Sequence, residues 1–184
     1  TPHGQGHETT WSQIVADRMG IDPDHVEVLH SDTAISPVGM DTYGSRSLSV
    51  GGVAIAMAAD QVVAKAKAIA AHQLEAAEDD VELAAGELSV RGTPAKSMAL
   101  QAVAFEAFSA HDLPDGMEPN LSASVTYDPP NFVFPFGTHV AVVEIDEETG
   151  NVDLIDYAAV DDCGPQGNPM IVEGQLHGGI VQGV

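Results

Sequence analysis

Between Leu48 and Ala77 apolar residues recur at threes and fours: Val50, Val53, Ala54, Met57, Ala58 and Val62. That period belongs to a helix, and the many alanines favour helix and let a neighbour pack closely. A long apolar helix must be covered, so the rest of the chain has to supply a layer against it. The next residues change period. Val81 and Leu83 alternate, Gly86 turns the chain, and Leu88 and Val90 alternate again, which predicts a small hairpin. Ser97 is placed to cap a helix carrying Leu100, Val103, Ala104, Ala107 and Phe108.

Other elements follow from the same rules. Thr9 to Met19 reads as a helix, with Trp11, Ile14, Val15, Arg18 and Met19 on one face and Gly20 as its stop. Asp22-Pro23 makes a turn, and Val26 to Leu29 reads as a short strand. Ser31 to Ser47 is a long polar loop, a length that in a compact domain points to function. His111 to Asn120 is a connector. Leu121 to Tyr127 and Phe132 to Phe136 are extended, interrupted by Pro129-Pro130. Thr138 to Asp146 and Val152 to Asp162 are the clearest strands, joined by Glu147 to Asn151 with Gly150 in the turn. Asn168-Pro169 opens a last helix. The fold class is therefore α+β: antiparallel β hairpins and a sheet packed with helices, in a single domain over 1–184.

Composition narrows the partners. Six Lys and Arg face 28 Asp and Glu, a net charge of −22, and the acids are spread along the chain. A field of that sign repels phosphate backbones and anionic bilayers, so neither nucleic acid nor membrane is an expected partner. With 44% hydrophobic residues the chain is globular rather than an acidic tail. So few lysines on a globular chain point to a halophilic protein, in which salt screens the self-repulsion. No run of about 18 apolar residues occurs, and no secretory signal is visible. A cytoplasmic setting is expected. Thr1 at the start and the apolar, glycine-rich run ending at Val184 read as a segment of a longer protein, cut at both ends.

Three stretches are candidates for chemistry. Gly4-Gln5-Gly6 precedes a helix, where bare backbone can approach a ligand and Gln5 can both donate and accept; the alternative is a flexible turn. Thr42-Tyr43-Gly44-Ser45-Arg46-Ser47 sets hydroxyls, a glycine and a guanidinium at a helix start, a combination suited to phosphate. Arg46 is one of only three arginines; the alternative is an N-cap with a solvated arginine. Asp161-Asp162-Cys163-Gly164, Asn168-Pro169 and Glu173 to Gly179 form the third, with a helix too rich in glycine for propensity to explain. Either another helix or a ligand must come close to it, and Gln175 can aim polar atoms there. Glu173 and His177, four apart, read as a helix surface pair rather than metal ligands. Cys163, beside two carboxylates, has nothing to lower its thiol pKa and is not expected to be a nucleophile.

Taken together, Gly4-Gln5-Gly6-His7-Glu8-Thr9-Thr10, Thr42 to Ser47, and Asp162-Cys163-Gly164 through Gln182-Gly183 resemble the molybdenum-binding large subunit of the molybdenum hydroxylases. Carbon monoxide dehydrogenase large-chain-like proteins are nearest, with aldehyde oxidase and xanthine dehydrogenase further away. The resemblance implies the C-terminal part of the molybdopterin-binding region and a molybdenum-bearing molybdopterin cofactor, in prokaryotes usually the cytosine dinucleotide. It assigns Gly4, Gln5 and Gly6 to the pterin or molybdenum end, Gly44, Ser45, Arg46 and Ser47 to the pyrophosphate, and Gln175 to a cofactor hydrogen bond. Gln5, Ser45 and Gln175 are then expected on one common surface. It also implies hydroxylation of a small substrate (carbon monoxide, an aldehyde or an N-heterocycle) with water-derived oxygen, and electron transfer to iron–sulfur and FAD subunits. The family's catalytic glutamate and upstream glycine-rich loop are expected outside these residues, so no catalytic residue and no protein metal ligand is assigned here, and the segment alone is expected to be inactive. The competing reading is a non-catalytic acidic α+β interaction domain.

Overall fold

The computed structural model describes residues 1–36, 39 and 41–184. Among the described residues four α-helices and five strands follow one another: α1 (His7–Met19), α2 (Val53–Gln73), β1 (Val81–Ala84), β2 (Glu87–Val90), β3 (Thr93–Ala99), α3 (Leu100–Ser109), β4 (Phe136–Ile145), β5 (Val152–Asp162) and α4 (Pro169–Gly183). Where the sequence reads as one domain, the chain divides into two compact units: Thr1 with His7–Pro129, and Pro2–Gly6 with Pro130–Val184.

In the first unit the expected long helix is the centre of the core. Ala66, Ile69, Ala70 and Ala71 of α2 are buried against Val81, Leu88, Leu100, Val103 and Ala107. The helix is shorter than the periodicity suggests. It ends at Gln73, with Glu75 in the left-handed region at φ 50°. Its first turn, Ser47–Gly52, is a π-helical turn. Gly51 and Gly52 are poor helix formers, and they let the Trp11 ring lie against the helix backbone. A Cβ at Gly52 would stand 3.3 Å from Trp11 and 3.4 Å from Ile14 of α1. Arg18 of α1 closes the same interface with bonds of 2.8 and 2.7 Å to the two carboxylate oxygens of Asp60. Ser47–Gln73, 27 residues, is by length and composition apolar enough to cross a bilayer, contrary to the expectation that no such segment exists. Ala59, Ala66, Ile69, Ala70 and Ala71 of that helix are buried.

Beyond α2, β1, β2 and β3 form an antiparallel sheet in that order, with Val81 opposite Val90 and Leu88 opposite Met98. The third strand corrects the sequence reading. Ser97 does not cap a helix; it lies in β3 and its hydroxyl donates to Glu87 across the ladder. Pro94 and Lys96 hid this strand, since both are disfavoured in a sheet interior but suit an edge. Lys96 also donates to the Leu74 carbonyl (3.1 Å), closing the C-terminal end of α2. The strand expected at Val26–Leu29 is absent. A short 3-10 turn, Pro23–His25, leads into extended backbone with no ladder partner among the described residues. Leu121–Tyr127 is extended and alternates half-buried with exposed, likewise without a ladder. Pro37, within the expected long loop, lies outside the described residues.

The second unit is a long hairpin and a helix. β4 and β5 pair antiparallel from Phe136 opposite Asp162 to Ile145 opposite Val152, with an irregularity at Val142/Val143. The turn forms where expected. The Asp146 carboxylate accepts from the N–H groups of Glu148 (2.8 Å) and Thr149 (3.0 Å), and Gly150 supplies φ 74°. Those bonds hold the Asp146 pKa below the usual carboxylate value. α4 starts as predicted, with Pro169 in the first turn and the Asn168 side chain accepting from the Ile171 N–H (3.1 Å). Among the described residues every buried apolar side chain belongs to the first unit, and none lies in this one.

Candidate functional site

Gly4 and Gly6 both adopt left-handed backbone, φ 94° and 76°. Gly6 has a packing reason as well. A Cβ there would stand 2.9 Å from Cδ1 of Ile171, so the bare backbone rests on the first turn of α4. Gln175 follows Ile171 by four residues and shares its helix face. The Gly4–Gly6 stretch and the Gln175 helix, far apart in sequence, thus meet within one unit. Gln5 is half-buried and its side-chain oxygen accepts the His3 N–H. Gln175 is exposed, and a Cβ at Gly174, Gly178 or Gly179 would meet nothing within 4 Å. The glycines of α4 therefore present open backbone. Glu173 and His177, expected to pair on the helix surface, are both exposed and no bond joins them.

The second stretch lies in the first unit. Gly44 (φ 67°) and Ser45 (φ 51°) are left-handed, and Arg46 returns to right-handed helical backbone at φ −109° and ψ −1°. A change of hand of this kind is the backbone pattern of anion-binding nests, in which successive N–H groups face one side. No side chain caps the Ser47–Gly52 turn that follows, so its leading N–H groups lack the usual side-chain acceptor. The Arg46 guanidinium lies 4.2 Å from the Tyr43 ring centroid, a cation–π contact that steadies it. Arg18 pairs with Asp60 at 2.7 Å and Arg91 with Glu82 at 2.7 Å. No carboxylate occurs between Thr42 and Ser47. Asp41 immediately precedes this stretch and accepts the Thr42 N–H (2.8 Å).

Two tethers were not legible beforehand. His30 bridges Glu8 (Nε2 to Oε1, 2.8 Å) and Ser31 (Nδ1 to Oγ, 2.8 Å), tying the start of the long loop to the first turn of α1. His139 of β4 bridges Tyr157 and Asp161 of β5. Period-two alternation within each strand was visible, but the pairing register that joins these residues was not.

A molybdopterin ligand is flat, polar and anionic. Each unit carries groups of matching chemistry: left-handed glycines and amide side chains in the second unit, and an uncapped helix start, hydroxyls and an arginine in the first. The architecture is of α+β class. The chain belongs to the molybdopterin cofactor-binding domain family, whose model matches residues 1–184. It is 46% identical over 180 residues to the carbon monoxide dehydrogenase large chain of Hydrogenophaga pseudoflava, covering 98% of this chain and 22% of that one. Among solved structures it is similar to reconstituted CO dehydrogenase from Oligotropha carboxidovorans, with TM-score 0.85 and 42% identity over 97% of this chain and 22% of that one. It is also similar to quinoline 2-oxidoreductase from Pseudomonas putida 86, with TM-score 0.83 and 41% identity over 98% of this chain and 23% of that one. The chain thus spans about a fifth of the length of the relatives it matches.

Proposed function

We propose that this segment contributes residues to the cofactor site in the large subunit of a molybdenum hydroxylase. Gly4, Gln5 and Gly6 serve the pterin or molybdenum end, Gly44, Ser45, Arg46 and Ser47 the pyrophosphate, and Gln175 a further cofactor hydrogen bond. When bound, the cofactor supplies the two-electron oxidation that adds an oxygen from water to the substrate. This chain's own residues bind and orient. The Ser45–Arg46 turn offers N–H donors and a guanidinium to two phosphates. The Gly4–Gly6 backbone comes close because no Cβ intervenes. Gln175 donates or accepts from a helix whose glycines leave room beside it. The substrate is carbon monoxide, an aldehyde or an N-heterocycle, and catalysis uses groups outside these residues. Iron–sulfur and FAD subunits take the electrons, and the enzyme is cytoplasmic. The cytosine dinucleotide is the form proposed for the pterin. The observation that carries this reading is the change of backbone hand at Ser45–Arg46, placed at an uncapped helix start.

The test is chemical. The purified full-length subunit is expected to hold one molybdenum and to release one cytidine monophosphate per chain on acid hydrolysis. A subunit with neither, after expression in a host that makes the cofactor, would sink the assignment and favour a non-catalytic acidic domain.

A further inference from the structure

One face of the β4–β5 hairpin holds a polar network that the cofactor contacts do not require. Gly137 stands opposite Asp161, His139 opposite Ala159, and Ala141 opposite Tyr157. Alternation puts all six on the same face, so His139 is diagonal to both Asp161 and Tyr157. Nδ1 of His139 is 2.7 Å from the Tyr157 hydroxyl. Nε2 is 3.0 and 3.2 Å from the two Asp161 carboxylate oxygens. The rings of His139 and Tyr157 meet edge to face, centroids 5.7 Å apart. With a neutral imidazole, the phenol donates to Nδ1 and Nε2–H donates to Asp161. With an imidazolium, Nδ1–H donates to the phenol oxygen and Nε2–H still donates to Asp161. Both bonds survive either protonation state, so the network is a fixed brace.

Gly137 belongs to this arrangement. Glycine weakens a strand interior, and its presence there signals a close approach. A Cβ at this position would strike the Asp161 carboxylate and stand 2.6 Å from the Val160 carbonyl oxygen. Only the bare backbone lets Asp161 lie along the sheet to reach His139. Asp161 is also the penultimate residue of β5. Directly after it the chain turns, with the Gly164 N–H donating to the Asp162 carboxylate (2.8 Å) and Gly164 at φ 76°. Four residues later Asn168 caps α4.

We propose that His139 is a positioning residue. Braced between Tyr157 and Asp161, it fixes the direction in which β5 releases the 162–168 turn, and through that turn the start of α4 and Gln175. This rests on the reading of α4 as part of the cofactor site. The experiment uses the full-length subunit in its complex. Two quantities are measured: amide exchange in peptides covering 162–171, and molybdenum content. His139→Phe keeps a ring and removes both hydrogen bonds. It is expected to speed exchange in 162–171 about three- to tenfold, the range one net hydrogen bond supplies, and to lower molybdenum content by about the same factor. His139→Gln, which keeps one donor and one acceptor, is expected to restore both to near the unsubstituted values. Unchanged exchange in His139→Phe, or a Gln variant as impaired as the Phe variant, overturns the proposal. Faster exchange with full molybdenum content overturns it too. Should His139→Phe not accumulate, Tyr157→Phe removes one hydroxyl only; unchanged exchange there overturns the brace. An unsubstituted subunit that never holds molybdenum would instead refute the cofactor assignment, and the exchange data alone would then decide the brace.

Discussion

Gly51 and Gly52 are adjacent, yet a methyl group added to each is expected to change stability in opposite directions. Both sit in the π-helical turn that leads from the Thr42–Arg46 loop into α2. Replacing a helical glycine with alanine gains about 0.5–1 kcal/mol from reduced backbone freedom in the unfolded chain. At Gly51 the new Cβ would lie 3.6 Å from the Trp11 ring, ordinary contact, so the gain is kept. At Gly52 it would lie 2.9 Å from Leu48 Cδ1, 3.3 Å from Trp11 and 3.4 Å from Ile14 Cδ1. Leu48 is half exposed and can swing aside, but the Trp11 ring and Ile14 are held between the helices. Overpacking of this kind costs about 1–3 kcal/mol. Gly51→Ala is thus expected to stabilise by about 0.5–1 kcal/mol, and Gly52→Ala to destabilise by about 1 kcal/mol net. Trp11 is the only tryptophan in the chain, so its fluorescence during urea unfolding of the 184-residue protein reports this interface directly. Gly52→Ala with a midpoint equal to or above that of Gly51→Ala would refute the packing argument.

Three further outcomes follow from the same structure. Arg46→Ala in the full-length subunit is expected to lose molybdenum while the melting temperature holds, since a charged hydrogen bond to phosphate contributes about 1.5–3 kcal/mol; normal molybdenum content would reduce Arg46 to a partner of Tyr43. With 28 acids against six bases, the thermal midpoint should rise from low salt to molar KCl, because screening relieves self-repulsion; an equal or lower midpoint would contradict the halophilic reading. The hydrogen bond from His72 (2.9 Å) lowers the pKa of Asp112. A carboxyl with a depressed folded pKa stabilises above its unfolded value of about 3.9 and loses that contribution as pH falls through the folded one. The stability gap between the parent and Asp112→Asn should therefore be open at pH 6 and close below about pH 3; a gap that persists in acid would show that the asparagine disturbs packing instead.

Periodicity, charge and local capping rules were enough for the elements whose causes are local. The α2 alternation of small and apolar residues, the β1–β2 and β4–β5 hairpins with Gly86 and Gly150 in their turns, and the Asn168-Pro169 start of α4 all depend on neighbours within a few positions, and all formed. Elements that depend on a distant partner escaped. β3 exists because β2 offers it a ladder, although Pro94 and Lys96 argue against a strand. Val26–Leu29 has a strand's composition and no ladder to join. Nothing local says that Gly6 will rest on Ile171, or that Gly52 must admit Trp11. Nor does anything local say that His139 will stand between Tyr157 and Asp161, since a shift of one residue in register would turn it to the other face. The sequence by itself determined those helices, hairpins and turns whose causes lie within a few residues, because they follow from short-range sterics and capping. Only the tertiary structure decided which glycines are obligatory and which polar side chains meet, because those depend on where segments far apart in the chain come to lie.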